Sequence, residues 1–311
     1  MFIILHDKVK IFKIFYKKEQ EARRREVIKY DYIGKQGEEI MKIGVRAHDY
    51  GKMKIEELAQ TLHERGYNCA QLALPKAFAE IDSYDDITLA HLEKIRTEFE
   101  KYEIEIPVFG CYMDLGNPDD MVREKAVETF KKCLAYNKEL GATVVGTETA
   151  YPHLSKEEEK KIWYPHMMDS VKRIVDEAAR LDVKAAIEPV YWHPLENLEA
   201  ILDVMNQIQD EKHLRMIFDA SNLLEFPDTT NQYAYWSEWL NEAGKYIEAM
   251  HIKDFRLDEN GQYCPTLLGE GVIQYQAISE WLHKHRPDMY LLREEMNPQT
   301  DKKDIEYLKN L

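Results

Sequence analysis

Four residues of metal-binding type recur at the ends of short apolar runs. Glu188 lies in AAIEPV, Asp219 in MIFDAS, His251 in EAMHIKD and Glu294 in MYLLREEM. Their separations of 31, 32 and 43 residues are each close to one strand plus one helix. A carboxylate at the end of a buried strand is costly without a partner, so Glu188 and Asp219 ask for one. Three carboxylates and one imidazole form a hard, oxygen-rich set, suited to Mn²⁺, Mg²⁺ or Co²⁺ more than to a structural zinc site, which normally recruits thiolates. Such a ring leaves positions open for neighbouring oxygens of a substrate and permits Lewis-acid chemistry. If Leu292 and Glu294 share a strand face, Arg293 and Glu295 point the other way, so alternation favours Glu294 over Glu295.

The elements that position these residues repeat along the chain. Between Glu188 and Asp219, Leu195, Leu198, Ile201, Leu202 and Met205 recur at helical spacing, which makes the stretch 183 to 222 a β-α-β unit. Upstream, KIGVRA, NCAQLAL, IPVFGCYMDL and ATVVGTET are strands. They alternate with IEELAQTLHERG, TLAHLEKIRTEFEKY, a long helix opened by Asn117 as N-cap and Pro118 at its first position, and the region from KEEEKK to AARL. Downstream, a loop rich in Trp and Tyr precedes NEAGKYIEAMHIKD, read as helix six and strand seven; VIQYQAISEWLHKH, MYLLRE and DIEYLKNL follow as helix, strand and last helix. Eight alternating units over residues 41 to 311 fit a single-domain (β/α)8 barrel better than an open doubly wound sheet. In such a barrel the C-terminal strand ends share one pocket, so ligands one unit apart in sequence become neighbours.

Residues 1 to 40 read differently. Their apolar start is broken by Asp7, Lys8, Lys10 and Lys13, unlike a secretory signal, and they hold 10 Lys/Arg against 7 Asp/Glu. They are an accessory, poorly ordered extension outside the fold by this reading. The QGEEI stretch before Met41 can be encoded by a purine-rich ribosome site, which makes Met41 the expected start. The alternative is a short surface-binding helix. A formal charge of −15 overall, and −18 on residues 41 to 311, argues against nucleic acid. Cys69, Cys111, Cys133 and Cys264 are widely spaced, as in a reduced cytoplasmic protein. The chain has no apolar run long enough to span a membrane.

GVRAHD, GTET at 146 to 149, IEPV at 187 to 190, FDASN at 218 to 222, HIKD at 251 to 254, GEG at 269 to 271 and REEMNP together resemble the xylose-isomerase-like TIM barrels, a family of sugar phosphate isomerases and epimerases. The resemblance runs from Met41 onward. It implies that Glu188, Asp219, His251 and Glu294 bind one divalent metal, Mn²⁺ first, with Mg²⁺, Co²⁺ and Zn²⁺ as alternatives. It also implies a small carbohydrate substrate and a homo-oligomer. The reaction so implied is epimerisation or isomerisation of a sugar or sugar phosphate through a metal-stabilised enediolate, with Glu188 and Glu294 as the proton carriers. A keto-sugar or keto-inositol dehydratase or lyase is the close alternative on the same ligands. Where many members have a histidine three residues after the strand-six Asp, this chain has Asn222, which can hydrogen-bond a sugar but cannot take a proton.

Each further substrate contact has a plain structural rival. His193 contacts substrate or caps the next helix, and Lys253, on the face of His251, contacts substrate or forms a structural ion pair. Glu148 faces the ring or pairs with a basic side chain. Glu270, between two glycines, approaches the ligand or belongs to a simple turn. Tyr233, Tyr235, Trp236 and Trp239 have helical spacing and read as core or interface rather than as a sugar platform. The EEEKK run at 157 to 161 reads as a solvated helix start. The same barrel also resembles abasic-site endonucleases, but those use many histidines and a basic surface, whereas here only His251 stands at a strand end in the ligand series and the charge balance is acidic. A non-catalytic binding barrel would have no reason to keep four ligands in register.

Overall fold

A computed structural model of the chain describes residues 42–225 and 231–311. The extension 1 to 40 and the reading of Met41 as the start lie outside the described residues. The strands, in chain order, are β1 Lys42–Arg46, β2 Cys69–Leu72, β3 Glu105–Gly110, β4 Ala142–Thr147, β5 Ala185–Ile187, β6 Leu214–Asp219, β7 Ile247–Ile252, β8 Asp254–Leu257, β9 Tyr263–Thr266 and β10 Tyr290–Arg293. The helices are α1 Ile55–Arg65, α2 Leu74–Ala77, α3 Leu89–Lys101, α4 Asp120–Leu140, α5 Glu157–Leu181, α6 Leu198–Ile208, α7 Ala220–Leu223, α8 Gln232–Ala243, α9 Gln276–His285 and α10 Asp301–Leu308. Eight strands pair in parallel in the closed order β1, β10, β7, β6, β5, β4, β3, β2. This is the (β/α)8 barrel expected from the sequence.

The helices form because their apolar positions recur every three to four residues and their ends are punctuated. In α1, Ile55, Leu58, Ala59 and Leu62 are buried, and Gly66 closes the helix at φ 96°, where a side chain would be strained. Thr88 and His91 form a capping box at the start of α3. Each fully buried Leu or Ile of this kind is worth roughly 1.5–3 kcal/mol. One cap differs from the sequence reading: α4 is capped by Asp119, whose carboxylate accepts from Met121 N and Val122 N, and not by Asn117. The carboxylate, two residues nearer the helix, reaches two free N–H groups, while the Asn117 side chain accepts from Asp119 N.

Two further differences lie near β7. The Trp and Tyr stretch is itself helix α8, not a loop; Trp236 and Trp239 are buried edge-on against Phe218, with ring centroids 5.9 and 6.0 Å away. They belong to the core between helix and strand, while Tyr233 is exposed and donates to Glu280. Between β7 and α9 the chain also makes an antiparallel hairpin, β8 with β9, which alternation alone did not suggest.

Period-two alternation sets the barrel interior. Cys69, Val108, Val144, Ala186, Ile217, Ala249 and Leu292, one from each of seven strands, form an apolar cluster separate from the layer under the helices. Gly44 of β1 completes it, because a Cβ there would lie 2.5 Å from Cys69 Sγ and 2.8 Å from Leu292 Cδ2. Two residues beyond Cys69, Ala186, Ile217, Ala249 and Leu292 stand Gln71, Glu188, Asp219, His251 and Glu294, all buried. The apolar plug thus forms the floor of a polar layer at the C-terminal mouth.

Candidate metal centre at the barrel mouth

Glu188, Asp219 and His251 each place a ligand atom within 4.8 Å of the others. Glu294 joins them: His251 Nδ1 lies 3.2 Å from Glu188 Oε2 and 3.4 Å from Glu294 Oε1. Each glutamate uses one oxygen for support and turns the other inward. Glu188 Oε1 accepts from Asn222 Nδ2 at 2.7 Å. Glu294 Oε2 lies 3.5 Å from both Arg46 and Lys253. Asp219 Oδ1 accepts from Ser221 N and Asn222 N at the start of α7, which leaves Oδ2 facing Lys253 Nζ at 3.1 Å. Asp219 Oδ2 and His251 Nδ1 are buried and, despite these charged neighbours, make no hydrogen bond of proper geometry among the described residues. Two buried donor atoms and two inward carboxylate oxygens converging on one point are what a divalent cation requires, so the residues fit such an ion.

His251 is oriented from across the barrel. Its Nε2 bonds Gln71 Oε1, and the Gln71 amide donates in turn to Tyr112 OH. With Nε2 as the donor to Gln71, the proton that a bound cation would displace is the one on Nδ1, and the ring would then present its Nδ1 lone pair to the centre. Gln71 was missed in the sequence, although a polar residue two places beyond Cys69 obeys the alternation that identified Glu294. Arg46, two beyond the inward Gly44, was missed for the same reason.

Charge within the cluster is balanced locally. Burial would lower the His251 pKa, but Glu294 and Glu188 outweigh it and push it up to about 9. Burial would raise Glu294, yet His251, Arg46 and Lys253 hold it well below the usual carboxylate range. Burial, opposed by Lys253, pushes Asp219 up to about 6. Lys253 is held charged, because Asp219, Glu294 and Glu295 overcome its burial.

The other sequence candidates fall into two groups. Lys253 and Asn222 sit in the cluster, Lys253 as a three-way ion partner and Asn222 on Glu188 rather than on open space. Glu148 borders it: burial, then Glu188 and Glu294, push its carboxyl up to about 8. His193 Nε2 lies 3.8 Å from Glu148 Oε2, and burial lowers this imidazole to about 3. Glu270 is exposed in the turn after β9 and is not brought to the cluster. Glu295 does not point away as alternation implies. The strand ends at Arg293 and the chain turns through φ 54° at Glu295, so its carboxylate comes within 3.6 Å of Lys253 Nζ. Lys160, read as solvated, instead donates to Tyr191 O at 2.6 Å and pairs with Glu196.

The four cysteines are free, as expected, and among the described residues no helix is long and apolar enough to cross a membrane. A closed (β/α)8 barrel with three carboxylates and an imidazole at its C-terminal mouth defines a class of metal-competent barrels. Residues 49–311 match the family model described as xylose isomerase-like TIM barrel, and the chain belongs to that family. It is 26% identical over 174 residues to L-ribulose-5-phosphate 3-epimerase UlaE of Escherichia coli O1:K1 / APEC, covering 54% of this chain and 55% of that protein. The chain thus spans about half the length of the curated relatives it matches. In fold it is similar to 3-keto-D-glucoside 4-epimerase YcjR from E. coli, with TM-score 0.67, 17% identity and coverage of 87% of this chain and 100% of that one. It is also similar to the IOLI protein with a bound zinc atom, with TM-score 0.64, 17% identity and coverage of 87% and 95%.

Proposed function

We propose that this chain is a divalent-metal-dependent epimerase or isomerase that moves a proton at the carbon beside a sugar carbonyl. The observation that supports it most is the approach of both Glu188 Oε2 and Glu294 Oε1 to His251 Nδ1, at 3.2 and 3.4 Å, each glutamate with its second oxygen tied down. A divalent cation held by Glu188, Asp219, His251 and Glu294 would supply Lewis acidity toward the carbonyl. Glu188 and Glu294 come from β5 and β10, with β6 and β7 between them. A planar substrate fragment lying between the two carboxylates presents one face to each. One carboxylate takes the proton and the other returns it, and return to the opposite face inverts the carbon. His251, Arg46 and Lys253 keep Glu294 ionised, while Asn222 holds Glu188 by one oxygen only. UlaE and YcjR, both named as epimerases, agree with this reading.

Elimination is a second reading, favoured by Glu148. A carboxyl with its pKa pushed up to about 8 is protonated at neutral pH and can serve as the acid for a departing hydroxyl or glycosyl group. Product analysis tests both. Metal-loaded protein with a panel of ketoses and keto-glycosides should yield epimers or isomers, abolished by chelator. A product lacking a hydroxyl or glycosyl group would assign the lyase, and unchanged substrates throughout would contradict the proposal.

A further inference from the structure

The loops after the seventh and eighth strands of such barrels are where backbone N–H groups commonly hold a substrate phosphate. Here the corresponding N–H groups are already used. Asp254, the first residue of β8, is fully buried, and its carboxylate accepts four backbone bonds. Oδ1 takes Phe255 N at 2.9 Å and Ile273 N at 3.1 Å. Oδ2 takes Gly269 N at 3.1 Å and Gly271 N at 2.9 Å. With two donors on each oxygen the group is bound as an anion. The carboxylate sits so deep in this nest that a Cβ on Gly271 would lie 2.1 Å from Oδ1. The GEG turn is therefore a cradle for an internal anion, which accounts for its glycines without any contact from Glu270.

The buried cations beside the nest are committed as well. Lys253 faces Asp219, Glu294 and Glu295. Arg293 donates to Asp304 at 2.8 Å, to Thr266 O at 2.8 Å and to Glu294 O. Arg46 pairs with Asp49 and Glu294. The exposed Lys76 and Arg256 are single charges on separate elements, helix α2 and strand β8. A phosphate dianion at this mouth would meet the carboxylates of Glu294 and Glu295 while finding its usual donors engaged.

We propose that the site takes an unphosphorylated polyhydroxy ketone and discriminates against the corresponding sugar phosphate. This rests on the epimerase reading and narrows it, and it departs from the phosphorylated substrate for which UlaE is named.

Two measurements separate this inference from the reading beneath it. The Mn²⁺-loaded full chain is assayed for exchange beside the carbonyl on matched pairs, L-ribulose with L-ribulose 5-phosphate and D-fructose with D-fructose 6-phosphate. Expected is a kcat/KM at least about tenfold higher for a free ketose, because like charges set against one another discriminate strongly. A preference for the ester overturns the inference and leaves the epimerase reading standing. If no sugar exchanges, the epimerase reading fails, and calorimetry with inorganic phosphate still decides the charge question. The wild-type protein should show no saturable phosphate binding at millimolar concentration, whereas Asp254→Gly, with its nest emptied, should bind phosphate and rise in Tm with it. Saturable binding to the wild type contradicts the inference whether or not the variant folds.

Discussion

Gln71 and His251, 180 residues apart in sequence, share one hydrogen bond across the barrel interior, Gln71 Oε1 to His251 Nε2. The bond fixes which imidazole nitrogen faces the carboxylates. Gln71→Leu should therefore leave the barrel folded but weaken metal affinity by about 10–100-fold, the usual cost of losing a partner behind a metal-binding histidine. Competition of Co²⁺ against a chromogenic chelator reads this directly; unchanged affinity would show that the bond does not orient the ring.

A cation that binds only the folded chain stabilises it by about 2.7 kcal/mol at a concentration of 100 times its Kd. Thermal unfolding with Mn²⁺ and with chelator should differ accordingly, and Asp219→Asn should abolish the difference. A metal-induced rise in Tm that survives Asp219→Asn would place the ion elsewhere.

His193 gives a pH dependence of known sign. Its folded pKa of about 3 lies below the ordinary histidine value of 6.5, so between these limits the unfolded chain binds more protons. The contribution of His193 is fully present above 6.5 and is lost progressively as pH falls toward 3. At full strength the slope is about 1.4 kcal/mol per pH unit. Urea unfolding of His193→Asn between pH 4 and 6 should show a slope smaller by about that amount; an unaltered slope would mean that the imidazole is protonated in the folded state.

Arg293 and Asp304 form a buried pair at 2.8 Å, and Asp304 also accepts from Leu268 N at 2.9 Å. Asp304→Ala strands a buried guanidinium and should cost about 3–5 kcal/mol. Arg293→Met combined with Asp304→Ala should recover part of that loss in denaturant titration. Equal loss in the single and double variants would locate the cost in the Leu268 N–H instead.

Much of this architecture was legible because alternation and helical spacing report burial, and burial is what a barrel repeats. Glu188, Asp219, His251 and Glu294 could be assigned to one layer from their places on successive strands. Gln71 and Arg46 obey the same rule but were hidden by attention to ligand types rather than to the face they share. The hairpin of β8 and β9 and the nest around Asp254 were not legible. Four backbone N–H groups converging on one carboxylate leave no side-chain pattern beyond the two glycines of GEG. Asn222 was read as a substrate contact because its sequence position is local, whereas its partner Glu188 is reached only after the barrel closes. Glu295 escaped alternation because the strand ends one residue before Glu294 and the backbone then turns left-handed.

The central claim is that Glu188 and Glu294 exchange a proton with a carbon beside a carbonyl. Metal-loaded protein in D₂O with an accepted ketose should incorporate solvent deuterium at that carbon, and chelation should stop it. Glu188→Gln and Glu294→Gln should each reduce incorporation by at least about a hundredfold, the usual scale for losing a general acid or base. Full incorporation by either variant would contradict the assignment.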